Sequence, residues 1–211
     1  MMMGDPAPPR WLEWAREIQA IAQSGSHYAE NDYQRERFHR LSQIAAEIIS
    51  QHTTLSYPIL ADAFCAQVGY ATPRVDVRAA VFQDGKLLLV RERQDGGWTL
   101  PGGWADVGEM PSRAAERETW EEAGFQVKVQ RVVGVYDANR VGPLEVFHAV
   151  KLVYLCDLIG GESRTSGETS EVCFYSLNDI PTVLSGERTK PRHIADAIAA
   201  LNDPSKPTVF D

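Results

Sequence analysis

Three glutamates, Glu118, Glu121 and Glu122, stand at positions i, i+3 and i+4 of a segment that is typical of a helix. Residues at these spacings lie on one helix face, where like charges destabilise the helix by roughly 0.2–0.5 kcal/mol per pair. A solvated helix face is the ordinary explanation of an isolated ExxEE sequence. The alternative is a site for a hard divalent cation, because carboxylate oxygens are the ligands that Mg²⁺ and Mn²⁺ prefer.

The residues around these glutamates favour the cation site. From Gly103 to Phe125 the sequence fits the pattern G-x5-E-x7-R-E-U-x-E-E-x-G-U, where U is an aliphatic or other bulky apolar residue. One position departs from the pattern, since Thr119 stands at the first U. This pattern is the signature of the Nudix hydrolases, and the chain therefore resembles that family. Because Thr119 occupies a packing position, its departure concerns the tightness of the fold and not catalysis.

The resemblance extends over most of the chain. The helical N-terminal segment and residues 75–80, 101–108 and 167–172 are similar to a Nudix subgroup with an N-terminal helical domain, which includes CDP-choline pyrophosphatases and ADP-ribose hydrolases. The resemblance implies an α+β fold, in which a Nudix α/β/α sandwich with a mixed sheet follows a small all-α domain. It also implies Mg²⁺-dependent or Mn²⁺-dependent hydrolysis of a nucleoside diphosphate linked to another group X. CDP-choline or ADP-ribose is the favoured substrate, and a broad nucleotide-sugar or dinucleotide pyrophosphatase is the alternative.

The resemblance assigns the metal ligands residue by residue. Glu121 and Glu122 are expected to be the principal ligands, and Glu118 a further ligand or the general base. The carbonyl of Gly102 is expected to be a backbone ligand. Such a reaction needs a cation that polarises the phosphoryl oxygens and a base that takes a proton from water.

Further acids and bases are expected around the helix. The resemblance implies that Arg117 holds the carboxylates in register by pairing with Glu109. In many Nudix enzymes an acid from a loop outside the helix completes the site, and Glu168 or Glu171 is expected to be that acid. A solvated turn is the alternative for both residues.

Three residues are candidates for contacts with the substrate. Arg78 and Arg91 each have a guanidinium fork that suits a diphosphate, although a salt bridge on the face of a strand is the alternative for both. Trp104 adjoins the Pro101-Gly102-Gly103 turn, where an indole can stack on a base or cover the metal site. Core packing is the alternative for Trp104.

Two periodicities predict the elements that position these residues. Apolar residues at helical spacing predict three short helices in residues 1–73, over residues 11–23, 38–48 and 59–67, with Gly25 ending the first. After Pro73 the period changes to two, which predicts a second domain over residues 74–211 that begins with a strand at 75–82. Asp84-Gly85 predicts a hairpin turn. The remaining predicted elements are strands at 87–90, 127–135, 146–158 and 172–175 and a helix at 191–201.

Composition limits the class of protein and its partners. The net charge of −8 argues against duplex nucleic acid as a partner, because phosphate-backbone binding needs clustered Lys and Arg. No apolar run approaches the roughly 20 residues that span a bilayer, so no membrane segment is expected. Residues 1–9 lack a secretory pattern and the three cysteines form no CxxC pair, which favours a cytoplasmic protein with reduced cysteines.

The N-terminal domain is expected to make a homodimer, and packing only against the catalytic domain of its own chain is the alternative. Trp11, Trp14, Ile18 and Ile21 predict an apolar stripe, and three helices in about seventy residues form a marginal core unless they pack against another surface. A nucleotide-sensing regulator that contacts DNA through this domain is the alternative from another functional class. It is disfavoured because residues 1–73 contain five arginines against eight acidic residues.

Overall fold

The structure is a computed structural model that describes residues 9–138, 147–186 and 188–211. These residues divide into two compact units. The first unit contains residues 9–73 with Phe147 and His148, and the second contains residues 74–138, 149–186 and 188–211. No helix of the described ranges is both long and apolar enough to cross a membrane. Residues 1–8, on which the prediction of a missing secretory signal rests, lie outside this description.

The first unit consists of three helices. They are α1 (Arg10–Tyr28), α2 (Asp32–His52) and α3 (Tyr57–Cys65). Helix α2 begins after Asn31, whose side chain accepts a hydrogen bond from the backbone N–H of Gln34 and so satisfies a free donor of the first turn. The core of the unit consists of small and bulky apolar residues from all three helices, namely Ala15, Ala45, Ala46, Ile49, Leu60 and Phe64.

The prediction that Gly25 ends the first helix is wrong, since α1 continues to Tyr28. Glycine stands at this position because of packing. A Cβ atom built on Gly25 would lie 2.2 Å from the ring of Phe38 on α2, so only a residue without a side chain lets the ring approach. Glycine in a helix costs about 1 kcal/mol relative to alanine, and the contact with α2 offsets that cost.

The buried face of α1 differs from the predicted stripe by about one residue. Its fully buried apolar side chains are Leu12, Ala15 and Ala22, whereas Trp14 and Ile21 are each 52% exposed. The periodicity of the bulky residues therefore predicted the amphipathic helix correctly. It wrongly placed Trp14 and Ile21 on the buried face of that helix. Trp14 and Ile21 remain as exposed apolar groups on the first unit.

The second unit is built on a mixed sheet. Its described strands are β1 (Arg74–Gln83), β2 (Lys86–Glu92), β3 (Trp98–Thr99), β4 (Phe125–Asp137), β5 (Ala149–Gly161), β6 (Thr169–Ser176) and β7 (Val209–Phe210). The order β3-β2-β1-β5-β4-β7 forms one path, and β6 pairs with β2. Strand β1 is parallel to β5 and antiparallel to β2, which confirms the predicted mixed sheet. The two-residue strands β3 and β7 were not predicted, and residue 146 of the predicted 146–158 strand lies outside the described residues.

Strand β2 follows β1 through a hairpin turn and is paired along both of its edges. Asp84 and Gly85 both have positive φ angles, as the predicted Asp-Gly hairpin turn requires, and Gln83 pairs with Lys86 across it. The sheet partners of β2 are β1 at its beginning, β3 at its end and β6 along its whole length. Since a strand has only two edges, β6 covers one and β1 and β3 share the other.

Helices cover both faces of this sheet. Helix α4 (Pro111–Ala123) packs on one face, and α5 (Pro191–Asn202) packs on the other. Alternate residues of β1 point to opposite faces, so that Val77 and Ala79 join the core under α4 whereas Ala80 joins the core under α5. The second unit is therefore an α/β/α sandwich, as predicted.

Candidate active site

The turn Pro101-Gly102-Gly103, here called the glycine turn, follows β3 and runs along the first half of β1. The backbone N–H of Ala79 donates to the carbonyl of Pro101 at 2.9 Å, and that of Val77 donates to the carbonyl of Gly103 at 2.8 Å. Gly102 has a φ of +146°, and a Cβ on it would lie 2.0 Å from the carbonyl oxygen of Val77. Glycine is therefore required for this turn to lie so close to β1.

Helix α4 presents the glutamates to this turn. Pro111 occupies the first position of the helix, and Gly124, with a left-handed φ of +75°, ends it. A Cβ on Gly103 would lie 2.9 Å from the carboxyl carbon of Glu118, so the absence of a side chain there makes room for this carboxylate. The buried hydroxyl of Thr119 donates to the carbonyl of Ala115 at 2.7 Å. This hydrogen bond satisfies the polar group of a threonine at a position where the sequence pattern has an apolar residue.

One guanidinium organises the exposed side of the site. Arg117 donates to both oxygens of Glu109, with Nε and Nη2 at 3.0 and 2.9 Å. Its Nη1 donates to Glu118 at 2.9 Å and to Glu121 at 3.1 Å. The hydrogen bonds from Arg117 lower the pKa of Glu109, and those to Glu109 raise the pKa of Arg117. Arg117 is thus fixed on Glu109 while it touches two of the three helix glutamates.

The third glutamate lies deeper. Glu122 is 4% exposed, and its Oε2 accepts a hydrogen bond from the backbone N–H of Gly102 at 2.9 Å. Burial raises the pKa of Glu122 to about 8, although Arg78 and the Gly102 hydrogen bond oppose that shift. Burial also raises the pKa of Glu118, against the hydrogen bond and charge of Arg117. Two of the three glutamates therefore lie where an ionised carboxylate is costly without further positive charge.

The donor set fits a hard divalent cation by chemistry and by charge. Within the described ranges, no three His, Cys, Asp or Glu side chains already surround a common point in the manner of ion ligands. Glu118 and Glu121 are turned to Arg117, and Glu122 is turned to Gly102. All the available donors are oxygens, and Arg117 lies within 3.9 Å of four carboxylates, so the cluster has an excess of negative charge.

Arg78, a candidate for gripping a diphosphate, is instead buried beneath the glycine turn. It is 3% exposed, and its Nε and Nη2 donate to the two oxygens of Asp76, each at 2.9 Å. Its Nη1 donates to the carbonyl of Leu100 at 3.3 Å, and Lys151 Nζ lies 2.9 Å from Asp76. Burial alone would raise the pKa of Asp76, but Arg78 and Lys151 hold it below its usual value. The observed arrangement corresponds to the salt-bridge alternative.

Two of the other candidates, Arg91 and Glu171, pair with each other on the surface. Arg91 Nη1 lies 2.6 Å from Glu171 Oε1, and both side chains are about half exposed. Glu168 is also exposed. The segment that carries both acids does reach α4, because the hydroxyl of Thr169 donates to the carbonyl of Glu122 at 2.7 Å.

Trp104 lies at the open side of the turn. It is 42% exposed, and the guanidinium of Arg74 lies 5.7 Å from the centre of its ring. Its carbonyl accepts a hydrogen bond from Arg117 at 3.4 Å, which links it to the glutamate cluster. The partly exposed ring is therefore accessible to a planar ligand group.

Glu92, at the end of β2, was not predicted from the sequence as a residue of this site. Glu92 is 2% exposed and lies opposite Thr169 in the β2–β6 pairing. Leu88 and Val90 of β2 face the core under α4, and the same alternation points Glu92 to that face. The signal was therefore present in the sequence, as an acid two residues beyond two buried apolar side chains.

Comparison with known proteins identifies the same two units. The model of the NUDIX domain matches residues 72–197. A second model, described as a UDP-X-like N-terminal oligomerisation domain, matches residues 9–64. Together they cover both the glutamate site and the three N-terminal helices.

Two of three similar proteins match this chain over nearly its whole length, and the third matches about two thirds of it. A Bacillus subtilis protein provisionally named ADP-ribose pyrophosphatase YjhB is 34% identical over 203 residues, which are 96% of this chain and 97% of that protein. The crystal structure of a UDP-X diphosphatase covers 95% of this chain and 98% of its own, with a TM-score of 0.62 and 29% identity. The crystal structure of an ADP-ribose pyrophosphatase from Streptococcus suis covers 66% of this chain and 100% of its own, with a TM-score of 0.60 and 38% identity.

Proposed function

We propose a substrate class for this chain from the premise that it belongs to the Nudix family of pyrophosphohydrolases. The chain hydrolyses the diphosphate of a nucleoside diphosphate linked to another group X, and it releases a nucleoside monophosphate and phospho-X. The observation that carries this proposal is the placement of Glu122 on Gly102 and of Glu118 beside Gly103, with Arg117 bonded to both Glu118 and Glu121.

The residues that hold the cation follow from this geometry. Glu118, Glu121, Glu122 and the carbonyl of Gly102 would hold Mg²⁺ or Mn²⁺. The backbone pairing of Pro101 and Gly103 with β1 leaves the Gly102 carbonyl, which lies between them, off that edge. When bound, the cation neutralises charge on the phosphoryl oxygens and lowers the pKa of a water molecule.

The remaining chemistry belongs to the side chains. Only Oε2 of Glu118 is open, because its Oε1 accepts from Arg117, so Glu118 is either a further ligand of the cation or the base that takes a proton from the attacking water. Burial raises the pKa of this carboxyl group, against the hydrogen bond and charge of Arg117. Arg117, fixed by its two hydrogen bonds to Glu109, keeps Glu118 and Glu121 in place. Trp104 offers its exposed ring to the base of the substrate.

The identity of X is proposed from the relatives. The full-length match to YjhB and the match to the Streptococcus suis enzyme favour ADP-ribose. The UDP-X diphosphatase structure and the N-terminal domain model favour a UDP-linked group. CDP-choline remains a third candidate on the resemblance of the N-terminal segment. All three have one nucleoside on a diphosphate, which distinguishes them from nucleoside triphosphates.

A product-release screen tests this proposal. The full chain is assayed on ADP-ribose, a UDP-sugar, CDP-choline and the common nucleoside triphosphates, with Mg²⁺ and then Mn²⁺. We expect a nucleoside monophosphate as product and kcat/KM at least tenfold higher for a diphosphate-linked substrate, which is about 1.4 kcal/mol in transition-state binding. A preference of tenfold or more for a triphosphate contradicts the substrate class. Glu116→Gln is the matched control for substitutions of the three α4 glutamates in this assay. Glu116 lies on the same helix, but its carboxylate bonds to Val129, Arg113 and Lys128.

We also propose that the chain is a homodimer through its first unit. The matching of residues 9–64 to an oligomerisation domain supports association, and the exposed Trp14 and Ile21 supply apolar surface for it. Cytoplasmic location remains an expectation from the sequence.

A further inference from the structure

Glu92 is a buried acid for which the fold provides too few partners. Arg188 Nε lies 3.2 Å from Glu92 Oε1, which is close enough for an ion pair. Nevertheless, no described residue donates a hydrogen bond to this oxygen. Buried polar atoms in native proteins almost always have a hydrogen-bond partner, and an exception needs an explanation.

The position of Glu92 points to the glutamate site. Glu92 pairs in register with Thr169, whose hydroxyl holds the carbonyl of Glu122 at 2.7 Å. Burial is the main cause of the raised pKa of Glu122, and the charge of Glu92 adds to it. The charge of Arg78 acts on both carboxyl groups and opposes the rise in their pKa values. The two acids therefore share one buried environment at the end of α4.

A purely structural role explains this arrangement poorly. A carboxylate that only anchored Arg188 would be more stable at the surface, where water would donate hydrogen bonds to Oε1, the oxygen that has none here. Arg188 also has another partner, because its Nη2 donates to Gln94 Oε1 at 3.0 Å. The segment around Arg188 is held independently, by the hydrogen bond of Ser185 to Asp95 and the contact of Thr189 with Thr99.

We propose that Glu92 is a further cation-binding carboxylate of this site, supplied by the end of β2 and held by Arg188 when no cation is bound. This inference rests on the proposed function, since it assumes that the α4 glutamates bind a divalent cation. It replaces Glu168 and Glu171 as the acid from outside the helix. Those two side chains are exposed, and Glu171 already pairs with Arg91.

The test measures cation binding without substrate. Mn²⁺ is titrated into the full chain, and free Mn²⁺ is followed by its electron paramagnetic resonance signal. We expect Glu92→Gln to weaken Mn²⁺ binding at least tenfold and to lower kcat/KM by a similar factor or more. Glu116→Gln, the matched control on α4, is expected to stay within twofold of the wild type in both measurements.

A second variant separates ligation from anchoring. Arg188→Met removes the partner of Glu92 but keeps its carboxylate, so Mn²⁺ binding should be unchanged or tighter. If Arg188→Met weakens binding as much as Glu92→Gln does, Glu92 acts only by anchoring that segment and the inference is wrong. If Glu92→Gln binds Mn²⁺ like the wild type, the inference is again wrong, while hydrolysis by the wild type would leave the proposed function intact. A wild type that binds no Mn²⁺ would overturn both.

Discussion

Replacement of Glu122 by glutamine should stabilise the metal-free protein while it abolishes turnover. The carboxylate is 4% exposed, and burial raises its pKa from 4.5 to about 8. The folded state therefore binds a proton more tightly than the unfolded state does. For a carboxyl group with a raised pKa, stability is lost as the pH rises from the unfolded value, here 4.5, through the folded value.

The magnitude follows from the same two pKa values. At pH 7 the buried carboxyl group costs the folded state about 3 kcal/mol, and above pH 8 about 5 kcal/mol, at roughly 1.4 kcal/mol per pKa unit. Glutamine removes this cost and can still accept the hydrogen bond of Gly102. Its amide N–H groups enter a site without designed acceptors, which offsets about 1 kcal/mol of the gain. A net gain of about 2 kcal/mol at pH 7 raises Tm by roughly 4–8 °C for a chain of this size.

Denaturant unfolding in EDTA at pH 5, 6, 7 and 8 measures this effect. The difference in unfolding free energy between Glu122→Gln and the wild type should be small at pH 5 and should increase toward pH 8. Added Mn²⁺ should stabilise the wild type and leave the variant unchanged. A difference that does not vary with pH, or a variant less stable than the wild type at pH 8 in EDTA, would refute the buried-carboxylate reasoning.

Three further predictions concern the other parts of the molecule. Glu121→Gln should lower kcat at saturating Mg²⁺ by a factor of about 100 or more, with the Tm in EDTA unchanged or higher, as steady-state kinetics and thermal unfolding will show. Arg117→Met should lower kcat/KM on the proposed substrate. It should weaken Mn²⁺ binding less than Glu121→Gln does, because Arg117 positions the carboxylates and is not itself a ligand. Equal losses of Mn²⁺ binding in the two variants would contradict this prediction. A chain that begins at Thr72 should sediment as a monomer whereas the full chain sediments as a dimer, and a monomeric full chain at micromolar concentration would refute the proposed dimer.

The sequence predicted those parts of the fold that depend on local pattern. The Asp84-Gly85 turn, strand β1 and the amphipathic α5 were all visible, because period and turn chemistry are properties of neighbouring residues. Gly25 shows the limit of such signals. A glycine within a helix looks like a stop signal, and only the position of Phe38 on another helix explains why it is not one.

The candidate site was predictable to a similar extent. The signature located the glutamates, Arg117 and Glu109 because their spacing on one helix and its preceding loop is fixed locally. The surroundings of Arg78 depend on β5, where Lys151 lies in register with Asp76 across a parallel pairing. Such long-range pairing leaves no mark in the spacing of residues. The sequence therefore left Arg78 open between a contact with the substrate and a salt bridge within the sheet.

The buried charges under the glycine turn leave Glu122 without enough positive charge to compensate an ionised carboxylate. Asp76 is compensated by Arg78 and Lys151, so that Arg78 is already engaged when it faces Glu122. The hydrogen bond from Gly102 and the field of a shared guanidinium do not restore the ordinary pKa of Glu122. Arg117 cannot make up the deficit, since Glu109 holds it on the outer side of α4. A divalent cation placed among these carboxylates would remove a cost that the fold bears in its absence, so that binding of the proposed cation would also stabilise the second unit.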